Sequence, residues 1–175
     1  MLIILRGNSA AGKSTLAAAL QRVMGRGTAN IGQDHFRRVV LREHDVPDGD
    51  NIEFIAHTVR YCAGIGYHVI LEGILLSEHY GQMLRALVQS HPGPSHVFYL
   101  DVTLEEARRR HDGRPLRDDV PASRLQDWFV PSDVLDVPDE IVLDGGGTVE
   151  ASLEVILATI GPVQSRGERT GGRFL

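Results

Sequence analysis

Lysine is nearly missing from this chain: of its 18 basic residues, 17 are Arg and one is Lys13. Chemistry that needs a compact ammonium in place of a planar guanidinium therefore has a single place to happen. Cysteine is equally scarce. The lone Cys62 excludes an internal disulfide, and its helical, apolar neighbourhood points to a buried thiol rather than a nucleophile. Aromatic residues make up 6% of the chain, and acidic residues outnumber basic ones, giving a net charge of −5 and a pI near 5.9. A general nucleic-acid binder needs a basic, base-stacking surface, so a phosphate-rich polymer is not the expected partner. The apolar stretches Leu2 to Leu5 and Val69 to Leu71 fall far short of the roughly 20 residues that span a bilayer, and Arg6 interrupts the first too early for a secretory leader. A cytoplasmic location with no membrane partner is expected. The eight histidines show no spacing beside Cys or carboxylates that suits zinc.

What is present is an ordinary folding composition, 42% hydrophobic and 23% charged over 175 residues, enough for one core and one domain. Unbroken apolar character makes Leu2 to Arg6 a buried strand. A helix follows to about Met24, with Leu16, Ala19, Leu20 and Val23 on one face, and ends at Gly25 to Gly27. Thr28 to Ile31 reads as a second strand, Asp34 to Glu43 as a helix starting just past its end, Ile52 to Gly64 as another helix, and Tyr67 to Glu72 as a third strand. Ser77 to Ser90 is helical, Pro92-Gly-Pro94 turns, and His96 to Val102 is a fourth strand. Thr103-Leu-Glu-Glu106 has the form of a capping box, which puts Arg108 to Arg110 on a helix. Ile141 to Leu143 and Val149 to Ile160 complete the pattern as a fifth strand and a last amphipathic helix. Alternation of this kind is an α/β fold: a parallel sheet covered by helices on both faces, with ligands at the carboxyl ends of its strands. The domain should span residues 1–161, and the Gly/Arg-rich residues 162–175 should form a flexible tail.

The first strand runs into Gly7-Asn8-Ser9-Ala10-Ala11-Gly12-Lys13-Ser14, which satisfies the Walker A pattern in the strand-to-helix setting that gives it meaning. Glycines let the main chain wrap phosphate oxygens, the N–H groups from Gly7 to Thr15 converge on the anion, and the helix N-terminus adds a favourable dipole. Lys13 is expected to reach the β- and γ-phosphates of ATP, and the Ser14 hydroxyl to ligate Mg²⁺. A GTPase of this loop type needs an Asn-Lys-x-Asp segment, and with no second Lys the chain has none. Motor ATPases need more domains than 175 residues hold. A small kinase fits best.

In such a kinase a carboxylate near the end of the second strand orients the acceptor hydroxyl and takes its proton. Asp34 stands there, with Arg37 one turn on and able to hold substrate or carboxylate; capping the helix is Asp34's other role, compatible with the first. Glu72 closes the third strand in the Walker B place, where it organises Mg²⁺ through its water shell or touches the acceptor. Arg108, Arg109, Arg110, Arg114 and Arg117 surround Gly113 and Pro115 as an Arg-rich lid over about 108–121, placed to neutralise charge on a transferred phosphoryl group. Arg110 and Arg114, four apart, are the favoured catalytic pair. Arg109 and Arg117 come next as nucleotide contacts, and Arg108 is expected in solvent near Glu105 and Asp112. A salt-bridged surface helix is the plainer reading of the same cluster. Trp128 and Phe129 read as core aromatics, with a place in a substrate or adenine pocket as the alternative. Asp50, Glu53, His57 and Arg60 lie on or before the helix expected to face the acceptor cleft, and His57 and Arg60 are candidate substrate contacts.

On Gly7 to Ser14, Asp34 with Arg37, Glu72-Gly73 and the Arg cluster, the chain resembles the small P-loop kinases over nearly its whole length. Within them it is similar to the compact bacterial phosphotransferases of the chloramphenicol phosphotransferase type. Asp34-His-Phe-Arg37 resembles the Asp-x-x-Arg arrangement of polynucleotide-kinase-like and zeta-toxin-like enzymes. The resemblance implies ATP-dependent phosphorylation of a hydroxyl, with Mg²⁺, on the P-loop NTPase fold with its five-stranded parallel sheet ordered 2-3-1-4-5. The residues that mark nucleoside monophosphate and shikimate kinases are not apparent. Acidic charge favours a small-molecule acceptor, such as an antibiotic or nucleoside-like compound phosphorylated in self-resistance, over a polynucleotide or nucleoside 5′-hydroxyl. A nucleotide-binding regulator without acceptor is the third reading. Monomer and homodimer both agree with the sequence.

Overall fold

Successive residues of a strand face opposite sides of its sheet, and in Leu2-Ile3-Ile4-Leu5 both sides are apolar, so this strand belongs in the middle of a sheet covered twice. The computed structural model, which describes residues 1–112 and 126–163, places it there. Strand β1 (Leu2–Gly7) is flanked by other strands in a parallel sheet: β2 (Thr28–Gly32), β3 (His68–Gly73), β4 (Ser95–Asp101) and β5 (Ile141–Asp144), in the order β2-β3-β1-β4-β5. Helices α1 (Lys13–Met24), α2 (Asp50–Gly64), α3 (Ser77–Ser90), α4 (Leu104–Asp112) and α5 (Val149–Ile160) alternate with them. Ile3 and Leu5 point to the side of α1 and α5, where Leu16, Leu20, Phe98, Leu100 and Ile156 join them. Leu2 and Ile4 meet Ile55, Val59, Leu71, Tyr80 and Leu84 on the side of α2 and α3. Each large side chain buried this way contributes about 1.5–3 kcal/mol. Leu5 lies beside Glu72 on one flank and Phe98 on the other, so the carboxyl ends of β1, β2 and β3 arrive together at one edge.

The strands and helices fall within a residue or two of the expected positions, with three differences. The buried stripe of α1 is Leu16, Ala17, Leu20 and Met24, while Val23 is 58% exposed; the Met24 side chain takes the core position that Val23 was expected to fill. The helix expected over Asp34 to Glu43 is wound as a π-helix over His35–Leu41, which Arg42 ends in the left-handed conformation. Asp34 does not cap it with its side chain. Lastly, Thr103 accepts a hydrogen bond from the Glu106 N–H at 3.2 Å, but Glu106 turns its carboxylate to Arg109 and Arg110, so only half of the capping box forms. Cys62 is half-buried, and burial pushes its thiol up, which keeps it protonated and unreactive. Of the expected lid, residues 113–121 with Arg114 and Arg117 lie outside the described residues, as do residues 164–175 of the expected tail. Among the described residues, no helix is long and apolar enough to cross a membrane.

Candidate active site

The phosphate loop is shaped by what a side chain would collide with. At Gly7 the backbone has φ 142°, and a Cβ would lie 2.4 Å from the carbonyl oxygen of Leu100, so only glycine passes between β1 and β4 here. Ala10 is held at φ 64°, a left-handed conformation that costs an L-residue about 1–2 kcal/mol. Lys13, at the start of α1, is 7% exposed, and its Nζ donates to the carbonyl oxygen of Asn8 at 2.7 Å. The ammonium is thus folded over the loop whose amides would hold an anion. Ser14 Oγ donates to Glu72 Oε2 at 3.1 Å, joining the Walker A hydroxyl to the carboxylate that closes β3.

Asp34 follows β2 on the other side of Glu72. Arg37 Nη2 and Arg38 Nε both donate to its Oδ1, at 3.0 and 3.1 Å, which leaves Oδ2 outside these contacts. The Asp34 side chain is 59% exposed, so each pair is worth only about 0–1 kcal/mol and can be exchanged for a substrate contact. Beneath it, buried Gln33 accepts from the Leu75 N–H at 3.1 Å and donates to Asp45 Oδ2 at 3.2 Å. A Cβ on Gly73 would stand 2.4 Å from Gln33 Oε1; the glycine after Glu72 makes room for the residue before Asp34. Burial pushes the Glu72 carboxyl up, the Lys13 charge and the Ser14 hydroxyl pull it down, and the Asp34 charge pushes it up again. The two carboxylates therefore share one space with the lysine.

That space is a cleft of about 360 Å³ lined by Ser9, Ala10 and Gly12 to Thr15 of the loop together with Asp34, Arg38, Glu72, His111 and Trp128. A second cavity of about 230 Å³ lies behind the loop, between Leu16, Arg110 and the turn after β5. Here Arg110 donates to the carbonyls of Gly145 at 2.6 Å and Gly146 at 3.1 Å, and to Glu106 Oε1 at 2.6 Å. The donors in the cleft are hard oxygens, the Ser14 hydroxyl and the Glu72 and Asp34 carboxylates, which suit Mg²⁺ bound through one or two carboxylates and substrate phosphates. Among the described residues, no group of three or more His, Cys, Asp or Glu side chains could form a cage of its own.

Of the residues expected from sequence, Gly7 through Thr15, Asp34, Arg37 and Glu72 come together. Others do not. Arg110 touches the loop but is spent on the carbonyls after β5, away from the phosphate cleft. Arg109 is 73% exposed and bonded to Glu106, whose carboxyl the arginines hold down to about 2; it faces solvent because it lies three residues from that partner. Arg108 donates to Gln126 instead of standing free. His57 and Arg60 both lie 3.6 Å from Glu53 on the exposed face of α2, because Ile55, Ala56 and Val59 claim the buried one. Trp128 is 41% exposed and lines the cleft, whereas Phe129 packs against the core under α1. Arg38 and Gln33 went unrecognised in sequence, although Arg38, four residues from Asp34 on a helical segment, had the spacing of an ion pair.

Residues 2–129 match the model of a family described as an AAA domain. A sugar kinase from Janibacter is similar at 23% identity over 91% of this chain and 93% of that one, with a TM-score of 0.73. The APS kinase of Mycobacterium tuberculosis, in complex with AMPPNP and APS, is similar at 17% identity over 91% and 96%, with a TM-score of 0.71. A gluconokinase from Sinorhizobium meliloti is similar at 18% identity over 89% of each chain, with a TM-score of 0.64. At these identities the likeness is one of fold. A search of the curated proteins found no match.

Proposed function

The chain belongs to the AAA domain family, and from that premise we propose that it is an ATP-dependent kinase which moves the γ-phosphate to a hydroxyl group of a small molecule. One observation carries this reading: Lys13, Ser14, Glu72 and Asp34 line a single cleft, with the phosphate loop on one side and a carboxylate on the other. The base of the nucleotide fits the cavity beside Arg110, and its polyphosphate then runs along the loop toward Asp34. Lys13 exchanges the Asn8 carbonyl for phosphate oxygens. Asp34 accepts the acceptor's hydroxyl proton at its outer oxygen as the alcohol oxygen bonds to the γ-phosphorus and the bond to the β–γ bridging oxygen breaks, releasing ADP. Arg38, beside Asp34, is placed to meet negative charge on the transferring group or on the acceptor. Ser14 and Glu72 would hold Mg²⁺, which supplies charge neutralisation at the phosphates.

The size of the cleft supports a small acceptor, and its structural neighbours, a sugar kinase, a gluconokinase and an APS kinase, are kinases of small molecules. The acidic charge of the chain weighs against a polynucleotide acceptor, and within the small-molecule class the resemblance to enzymes of the chloramphenicol phosphotransferase type favours an antibiotic or nucleoside-like hydroxyl compound. The test is incubation with ATP and Mg²⁺ against a panel of hydroxylated antibiotics, sugars, nucleosides and short oligonucleotides, read by mass for the gain of one phosphate. Asp34→Asn should lower transfer by about 10²–10⁴-fold while nucleotide still binds. If no compound gains phosphate although ATP binds, or if Asp34→Asn transfers at the wild-type rate, the kinase reading fails and a nucleotide-binding regulator replaces it.

A further inference from the structure

Trp128 is the chain's only tryptophan, and it lines the cleft with Lys13, Ser14 and Asp34. Two residues further on, Val130 is bonded to the phosphate loop through both of its main-chain groups. Its N–H donates to Asn8 Oδ1 at 3.0 Å, and its carbonyl accepts from Asn8 Nδ2 at 2.8 Å. A side-chain amide that pairs with a peptide in this two-bond manner fixes orientation as well as distance. Asn8 is buried, 2% exposed, and Nδ2 also donates to the Tyr99 hydroxyl at 3.2 Å. That hydroxyl donates to the Val130 carbonyl at 3.4 Å and accepts from the Asp133 N–H at 3.3 Å. The Walker A loop works through its main chain and asks for no particular side chain at this position, so a buried amide here is not explained by phosphate binding. The Asn8 carbonyl, meanwhile, is the acceptor for Lys13 Nζ. One residue is thus bonded at its carbonyl to the ammonium that phosphate attracts, and at its side chain to the segment that carries Trp128.

We propose that Asn8 is a positioning residue that ties the Trp128 wall of the cleft to the phosphate loop, so that nucleotide occupancy sets where Trp128 stands on the acceptor side. When a triphosphate draws Lys13 away, the Asn8 carbonyl loses a charge-assisted hydrogen bond; the loop resettles, and the Asn8 amide carries Val130 and Trp128 with it. The indole then screens the γ-phosphate end of the cleft from water and presents a flat apolar face beside Asp34. The acceptor side of this inference rests on the kinase reading, whereas the link from loop to tryptophan does not.

Because the tryptophan is unique, the emission of the full chain reports on Trp128 alone, and the Asn8 and Tyr99 variants separate the link from direct contact with the nucleotide. Titration with AMPPNP and Mg²⁺, with saturation verified by calorimetry, should shift the emission and change acrylamide quenching. In Asn8→Ala the response at saturation should be lost, and in Tyr99→Phe, which keeps the shape of the core, it should be reduced. An unchanged emission in the wild type, or a full response in folded Asn8→Ala, would overturn the proposal. Should Asn8→Ala not fold by circular dichroism, Tyr99→Phe decides: a reduced response supports the link and a full one overturns it. Failure of the kinase reading looks different, since the Asn8-dependent emission change would persist while no hydroxyl compound gained phosphate.

Discussion

Replacing Asp133 with Ala should destabilise the fold well beyond what an ordinary surface substitution does. Arg6, in the middle of the sheet, has a side chain that is fully buried, and its charge is met by Asp133 at 2.6 Å and Glu140 at 3.0 Å, carboxylates only 9% and 6% exposed. The carbonyls of Leu75 and Asp133 also accept from it, and the guanidinium lies 5.4 Å from the centre of the Tyr99 ring. Asp133 further accepts from the Ser77 N–H at 3.0 Å and from the Ser77 hydroxyl. One carboxylate thus joins β1, the start of α3 and the segment that carries Trp128. Its loss leaves a guanidinium in the core with a single carboxylate partner, and removing one partner of a buried pair costs about 3–5 kcal/mol. In a chain of 175 residues each kcal/mol lowers Tm by about 2–4 °C, so Asp133→Ala should melt roughly 6–20 °C below the wild type. Thermal melts paired with urea unfolding give the measurement, the urea slope showing whether both proteins unfold as one unit. Removing the three charges together, as Arg6→Met with Asp133→Ala and Glu140→Gln, should recover much of the loss. A deficit under about 1 kcal/mol in Asp133→Ala would refute the reasoning, because it would mean that Arg6 does not depend on Asp133 for its charge balance.

Glu72→Gln should separate stability from activity. Burial raises the Glu72 carboxyl above its ordinary value of 4.5, so the fold favours the protonated form. That stabilisation is complete below the ordinary value and is lost as pH rises through the raised one, leaving a desolvated charge at neutral pH. The variant should therefore melt above the wild type at neutral pH, with the difference shrinking as pH falls toward about 4, while phosphoryl transfer is lost; equal melting at neutral pH would contradict the burial argument. Arg110→Ala removes the donors to Gly145 and Gly146 that shape the wall of the second cavity, where the nucleotide base is proposed to sit. Steady-state kinetics should show the KM for ATP raised about tenfold or more, with the acceptor KM nearly unchanged. A rise confined to the acceptor would move Arg110 to the other side of the cleft.

The legible parts of this molecule are those whose signal is local. The phosphate loop occupies eight consecutive residues from Gly7 to Ser14, and Asp34 and Glu72 are found by where their strands end, so both follow once the strands are located. Four of the five strands show because each holds a short apolar run, and all five are closed by Gly or a charge; β2, Thr28-Ala29-Asn30-Ile31-Gly32, shows mainly by the glycines that bound it. Arg6 shows nothing of its partners, since Asp133 and Glu140 lie 127 and 134 residues away and no periodicity links them. The arginine run fails for another reason: in composition its members are equivalent, and only the helical phase from Glu106 sends Arg109 outward and Arg110 to the carbonyls after β5. For His57 and Arg60 that phase was present in the sequence, because Ile55 and Val59 define the inward face of α2 and both polar residues fall off it. The π-winding of His35–Leu41 leaves Val39 at 63% and Val40 at 49% exposure, against any pattern that buries apolar residues. Asn8 is the deepest case. A phosphate loop commits its main-chain amides to the anion, so a variable position, which motif reading treats as interchangeable, is free to carry a side chain that bonds the loop to a distant segment, as Asn8 does at Val130 and Tyr99.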